Sequence, residues 1–530
     1  MMTKRFAHSK QTGGGFILPG VLAFIIAMTI VGGAILTVVL DNFFVVGNNA
    51  QSQEAFNIAE AGINYYLWHM AYNGTDFKDG QSTPTTPNPT LGYGPYVLQY
   101  KNINNVDIGT YTLWINPQGG GSTIATVRSI GQVNGSPITR TIQAQIGAAS
   151  FASYGLVSNT AAWFGNDESA DGPVFDNQGI RMDGPSDDVV ESANAAYVPS
   201  TQLGGNGTTS EPGVWCSSTV TSPVNCNTRN KTDWLYPQTS VDFGAVSTSL
   251  CSMKKTALAN YTSTSNYATM SNACSQLPAT RTNAYIPERS TSFSDSVGYL
   301  IQLNPSGTYN LYDVNADNDQ LTPYTSALSL QSVATGLAIP SSGVIFVEDN
   351  AWVITNPTFT GRVTIASGRL ASTSQTTNIT IAGNVLYGAK NGTDAIGMVS
   401  QGNVYIAPYA PPATGSFNFE VDGALLAGNG SVTYPYTYQS NTNLCTRGWT
   451  SPNQTLTFYG SVASNSTWTW NWQGSACGGM VYDPTSGYYF AGIENTSTDY
   501  DYNLLYAPPP SYPLTTGYNI LSWREVLTKP

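Results

Sequence analysis

Histidine and charge are scarce in this 530-residue chain: it has two histidines, and Asp, Glu, Lys and Arg together make up 10% of it. His8 stands in a short N-terminal arm, so His69 is the only histidine left for everything that follows. A Ser-His-Asp arrangement further along would have no base, and the thinly spread carboxylates show no clustered acid–base pair. Cysteine is absent before Cys216 and no C-x-x-C occurs, which with one histidine argues against a zinc site. Lys and Arg (20) are outnumbered by Asp and Glu (32), for a formal net charge of −12. A broad basic surface for phosphate backbones is therefore excluded, and no nucleic-acid partner is expected.

What is present begins at the start. Lys4, Arg5 and Lys10 precede Gly13, Gly14 and Gly15, and an uncharged apolar run then covers 16–40. As a helix this run spans about 37 Å, enough to cross a hydrocarbon core of about 30 Å. The positive charges lie before it and Asp41 after it, so the arm should stay cytoplasmic and the rest be exported. The small residues come before the run and not after it. A cut between Gly15 and Phe16 would remove the arm alone and leave the membrane segment on the mature chain.

In these residues the sequence resembles type IV prepilins, whose leader ends in glycine before a phenylalanine that becomes N-methylated. The resemblance continues through 53–62, QEAFNIAEAG, which is similar to the helix of PilX-type minor pilins and pseudopilins. It departs from the pattern at Gly20, where most pilins carry a glutamate. It implies processing by a prepilin peptidase at Gly15 and Phe16, and packing against other pilins through the N-terminal helix. A second stretch of similarity, in MVSQGNVYI (398–406), GALLA (423–427), LTFYGSVA (456–463), YAPPP (506–510) and SWRE (522–525), is to large pilin-like proteins with a β-helical ectodomain.

Beyond Asp41, Phe56, Ala59, Ile63, Tyr66 and Met70 recur at steps of three and four, so the helix should continue until Asn73-Gly74 ends it. Strand-like segments follow at 96–100, 109–115, 122–133 and 139–146, the last two joined by Asn134-Gly135. This pattern predicts an α+β pilin module over 16–147, with 1–15 as leader. From 148 to 530 short, glycine-punctuated runs such as 343–347, 362–366, 378–387, 395–406 and 456–464 predict a mainly-β ectodomain. Stacked rungs of a β-solenoid with asparagine at the corners are expected, and a β-sandwich is the alternative. A less regular region over about 185–341, with a short helix at 246–261, is expected as an insertion packed on the solenoid.

All six cysteines lie in the exported part, which reads as disulfides in an oxidising compartment. Their spacing suggests the local pairs Cys216 with Cys226, Cys251 with Cys274, and Cys445 with Cys477, though other connectivities are open. Asp313, Asn315, Asp317 and Asp319 alternate as Ca²⁺ ligands would, yet Asn318 replaces the usual glycine and Tyr324 the closing glutamate. Calcium is the only cofactor the sequence offers. Tyr434, Tyr436 and Tyr438, then Trp468, Trp470 and Trp472, alternate in two clusters; exposed on a strand face they would bind sugar rings or a host-cell surface, and buried they would be core. The expected function is that of a minor, tip-placed subunit of a type IV pilus, for assembly and adhesion, without enzymatic activity. A type II secretion pseudopilin and a membrane-anchored carbohydrate-active β-helix enzyme are the alternatives. The expected location is a single membrane pass before assembly and the cell surface or pilus afterwards.

Overall fold

The computed structural model describes residues 17–72, 76–117, 124–222, 224–259, 272–289, 294, 296–317, 328–372, 375–408, 417–440, 443–445, 454–478, 480–482, 487–493, 495–515 and 517–526. The first element, α1 (Ile17–Tyr72), is one helix of 56 residues, about 84 Å long. Pro19 falls in its first turn, where a missing N–H costs nothing. The two halves of α1 differ in what surrounds them. Large apolar side chains from Leu18 to Val46 are exposed, whereas Ala55, Ile58, Ala59, Ile63, Tyr66 and Met70 are buried along one stripe.

That stripe lies on an antiparallel meander of β1 (Tyr93–Lys101), β2 (Asp107–Pro117), β3 (Ile124–Val133) and β4 (Thr139–Gly147). Alternate residues Tyr111, Leu113, Ile115 and Val127, Ala125 face the helix and their neighbours do not. Contact is close enough that glycine is required. A Cβ at Gly131 would stand 2.1 Å from the Ala55 carbonyl oxygen and 2.5 Å from the Ala59 nitrogen. Gly131→Val should therefore push α1 off the sheet, at a cost of roughly 1–3 kcal/mol. Urea unfolding of the variant beside the parent checks this; an unchanged midpoint would mean the helix is not held there.

After β4 the chain builds a large mainly-β body. β5 (Leu156–Ser158), β6 (Val174–Asp176), β7 (Val190–Ser192) and β8 (Trp234–Leu235) are laid down side by side, each parallel to the last. Between them Ala162–Phe164, Ile180–Met182 and Val214–Trp215 form a separate three-stranded parallel sheet. Helix α2 (Ala245–Leu258) follows, and the chain then resumes at the far end of the same stack with β9 (Tyr285–Ile286).

From there successive strands alternate between two sheets. β10 (Gly298–Asn304) carries an antiparallel hairpin, β11 (Thr308–Ala316) and β12 (Ser329–Ala338), on its outer edge. Then β13 (Val344–Val347), β15 (Arg362–Ser367), β17 (Ala395–Ser400), β19 (Phe417–Ala427) and β21 (Gln454–Ser464) extend the first sheet. β14 (Asn350–Thr355), β16 (Ile379–Ile381), β18 (Val404–Ile406) and β20 (Val432–Thr433) extend the second in step with them. The final strand of this run, β21, pairs with β5. Two half-stacks thus meet in the middle of one eleven-stranded sheet.

The pairing is in register across the joint. Ile345, Ile365, Met398, Leu425, Val462, Leu156, Val174, Val190 and Trp234 form one ladder of direct partners, all buried. Corners are fixed by polar ladders. Asn350 Oδ1 accepts from the Asn378 N–H, Asn378 Oδ1 from Asn403, and Asn403 Oδ1 from Ser431. At the joint Asn177 donates to Asn159, which donates to Asn465. In the first of these ladders half-buried backbone N–H groups so obtain side-chain partners.

The first sheet is covered on both faces, by the second sheet on one and by α2, Phe151, Leu504 and Tyr512 on the other. This explains why its strands read as unbroken apolar runs. The segment 185–341 is not an outside insertion: it supplies β7 and β8 at one end of the stack and β9 and β10 at the other, with α2 spanning between them. Likewise the boundary after 147 omits one strand of the proximal module. β22 (Asn495–Tyr500) pairs with β21, and the last strand, β23 (Asn519–Val526), returns to pair antiparallel with β4 as the fifth strand of the proximal sheet. Ser522, Trp523, Arg524 and Glu525 belong there and not to the distal body.

Candidate functional sites

The first candidate is α1 itself. It is long and apolar enough to cross a membrane, and none of that stretch is buried. Where its buried half begins, side chains fasten it to the sheet. Ser136 Oγ donates to Gln51 Oε1 at 2.7 Å, and Arg140 Nη1 donates to Ser52 Oγ at 2.7 Å while its Nε donates to Glu525 of β23. The Arg140 guanidinium also lies 5.5 Å from the centre of the Phe56 ring, which packs at 6.2 Å on Trp523. The terminal strand therefore helps hold the helix, a role the sequence pattern did not reveal. Gly15 and Phe16 lie outside the described residues. Gly20 is in the helix, with nothing within 4 Å of where a Cβ would be. His69 sits in the last turn of α1 with Nε2 3.3 Å from Asp76, remote from the distal body.

The second candidate is a cavity where the half-stacks join. β19 pairs along all of β21, so β22 (on 455–460) and β5 (on 462–464) must share the opposite edge of β21. Between their ends lies a small half-open space of about 40 Å³. Its floor is apolar, built from Phe164, Phe458, Val462, Trp468 and Trp470, and its rim carries Ser169, Asp171, Thr498 and Asp499. Trp468 and Trp470 meet nearly edge to face, 6.0 Å between centres and 82° between planes. Neither indole N–H reaches a hydrogen-bond acceptor among the described residues, although Trp470 is only 6% exposed. The Asp171 carboxyl is raised above its usual range by burial, then by the neighbouring charges of Asp187 and Asp499.

The aromatic clusters do not form the two exposed faces that strict alternation suggests. Tyr434 and Trp470 are buried in the core, Trp468 is half-buried against it, and Tyr436 is exposed and packs at 6.0 Å on Trp472. The reason is local: Thr433 and Thr469 make only an isolated bridge, and neither cluster lies along one continuous strand. That Asp171 lines one space with Trp468 and Trp470 was not legible, because nearly three hundred residues separate them and only the joint brings them together.

Asp313, Asn315 and Asp317 lie on and just past β11, and Asp319 lies outside the described residues. Asn315 Oδ1 accepts from Arg289 Nη2 at 2.7 Å and Asp317 Oδ2 from the Trp352 indole at 3.1 Å. Those two oxygens already have donors, one of them cationic. The cysteines pair Cys216–Cys226, Cys251–Cys274 and Cys445–Cys477. Two buried carboxylates accept from backbone N–H groups: Asp176 from those of Gln178 and Gly179, and Asp394 from those of Gly361 and Ala389.

No family model and no curated protein sequence matches the chain. Among solved structures it is similar to the competence-associated pilin ComZ from Thermus thermophilus, with 12% identity over 90% of this chain and 98% of that one, at a TM-score of 0.27. A likeness of that degree assigns neither a family nor a function.

Proposed function

We propose that this chain is a minor subunit of a type IV pilus, processed at Gly15 and Phe16, anchored in the membrane before assembly and packed against other pilins afterwards. The observation that carries this reading is α1: its first half exposes apolar side chains on every side, while its second half is buried on the chain's own sheet. Such a helix suits first a bilayer and then a filament core, both of which replace water around it. In the distal body, alternation of parallel strands between two sheets, with apolar and asparagine ladders in register, supports a solenoid. Its bulk favours display at a tip, since hundreds of residues per subunit would crowd a shaft. Gly20 agrees, having no carboxylate to offset the free amino group of a neighbouring subunit's first residue. The body's role is adhesive binding and not catalysis, a reading supported by carboxylates that are spent on backbone N–H groups.

Mass spectrometry of the membrane-extracted protein should find N-methyl-Phe16 at the mature N-terminus, and Gly15→Val should leave the arm attached. An intact Met1 arm on the parent protein, or cleavage beyond Leu40, would refute the reading.

A further inference from the structure

The two ends of the proximal sheet meet different surroundings. The distal body hangs from one end, at Gly147 and Asn519. The other end lies toward the membrane-crossing half of α1, because β2 runs in the same sense as the helix: Gly109 lies against Ile58, then Tyr111 against Gly62 and Tyr65. Two turns close that end. The one between β3 and β4 is polar, and its Ser136 meets Gln51 of α1. The one between β1 and β2 starts beside it, where Asn134 Nδ2 donates to the Asp107 carbonyl at 3.0 Å, and extends further. From Gln51 back to Val46, where the large exposed apolar residues of the first half of α1 end, the helix rises only about 7.5 Å. A hairpin tip two residues beyond Asp107 reaches about as far, at roughly 3.3 Å per residue. The tip thus stands level with Phe43, Phe44, Val45 and Val46, all exposed at the exported end of the apolar stretch.

The chemistry of this turn suits such a place. Ile103 is fully exposed and Val106 is 53% exposed. One exposed aliphatic residue is ordinary; here two share a hairpin tip that points along the helix toward its membrane span. The backbone of the turn is bonded within itself. Asn102 Oδ1 accepts from the Asn104 and Val106 N–H groups at 2.9 and 3.1 Å, the Asn102 carbonyl from the Asn105 N–H at 2.9 Å, and the Asn102 N–H donates to the Val106 carbonyl at 3.0 Å. Those groups need no water, which becomes scarce at a lipid surface. Lys101 and Asp107 stand 3.9 Å apart, so the tip brings offsetting charges to the headgroups.

We infer that the β1–β2 turn rests on the bilayer that α1 crosses, with Ile103 and Val106 among the lipids on the exported side before filament assembly. The inference rests on the membrane-anchored reading above and adds a second foothold, which fixes how the exported body is held over the membrane.

The test uses the full chain in vesicles of phosphatidylethanolamine and phosphatidylglycerol. All six cysteines are paired, so an introduced cysteine carries a nitroxide at one chosen place. Electron paramagnetic resonance then compares collisions with oxygen, which concentrates in lipid, and with a water-soluble nickel chelate present on both sides. Phe24→Cys in α1 should report lipid and Thr208→Cys on the distal body should report water. Asn104→Cys should report lipid. Adding Ile103→Asn and Val106→Asn should lower its oxygen-to-nickel ratio toward the aqueous value, since burying two aliphatic side chains favours the lipid-contacting tip by at least about tenfold. Lipid at 24 with water at 104 would overturn the foothold alone, and water at 24 would overturn the anchored reading itself. A label at 104 shielded from both reagents at high protein-to-lipid ratio and wet on dilution would mean that a second copy covers the turn, and would overturn the inference, as would a ratio at 104 unmoved by the double substitution.

Discussion

Replacing residues 148–518 by an Asn-Gly dipeptide should leave a folded proximal module that still enters the membrane. Gly147 of β4 and Asn519 of β23 are direct antiparallel partners, so the whole distal body hangs between two adjacent positions of one sheet. A two-residue Asn-Gly loop joins such partners without changing the register of either strand. Beyond the sheet the same two chain segments continue side by side as a neck: Ser150 bridges Leu514, Thr515 N–H donates to the Ala149 carbonyl at 2.8 Å, and Phe151 N–H to that of Pro513 at 3.0 Å. Among the described residues, nothing in the helix-packing core comes from the excised stretch except Tyr518, which packs partly buried at its edge. Circular dichroism of the shortened protein should show cooperative melting of a helix with antiparallel sheet. A chain lacking β23 as well should lose it, because β4 would become a bare edge and Arg140 would lose Glu525. Failure of the Asn-Gly variant to fold would show that the distal body is not an insertion in the proximal one.

Glu348→Gln should flatten the pH dependence of the distal body's stability, because it removes a buried carboxyl that takes up a proton on folding. Lys254 on α2 and Glu348 beside β13 are both wholly buried and in contact. The Lys254 Nζ also donates to the carbonyls of Cys274 at 2.9 Å and Gln276 at 2.6 Å, and Tyr285 donates to Glu348 at 3.3 Å. This knot fastens α2 and the segment beyond it across the outer face of the first sheet. Burial pushes the Glu348 carboxyl up to about 7 against the opposing pull of Lys254, and burial lowers the Lys254 ammonium. The folded state then holds a proton on Glu348 that the unfolded state has released. The stability this provides is complete below a pH of about 4.5, and it is lost as pH rises through about 7. Thermal melts of parent and variant between pH 4.5 and 7.5 check this: the parent's melting point should fall across that window and the variant's should change less. Equal slopes would mean that Glu348 does not titrate there. A Lys254→Met, Glu348→Leu double variant should melt no lower than the parent and without its fall across that window, since paired burial of apolar groups needs no compensation.

What could be read from the sequence was what lies close together along the chain. The apolar run, the stripe of Ala59, Ile63, Tyr66 and Met70, and the Asn134-Gly135 turn each involve neighbours in sequence, and each marks an element that is present. The expectation of asparagine corners has its counterpart in the ladder of Asn350, Asn378 and Asn403. What escaped were contacts made by long return. β23 pairs with a strand that ends 372 positions earlier, counting from Gly147 to Asn519. The joint of β21 with β5 is a similar case. Local periodicity carries no information about such partners, and 185–341 looked like an insertion because its strands are short and separated by irregular chain. Tyr434 and Trp470 misled for a related reason: alternation fixes which side chains share a face only where one strand runs unbroken.

The most direct measurement of the central claim is to place an epitope tag in the exposed turn at Asn206-Gly207 of the distal body, shear the cells, and label the released filaments with immunogold. The account predicts that the tagged protein appears in the sheared fraction with sparse label at filament ends, and that deleting Phe16 removes it from that fraction. Tagged protein that stays wholly in the membrane fraction while filaments are released, or regular label along filament lengths, would contradict it.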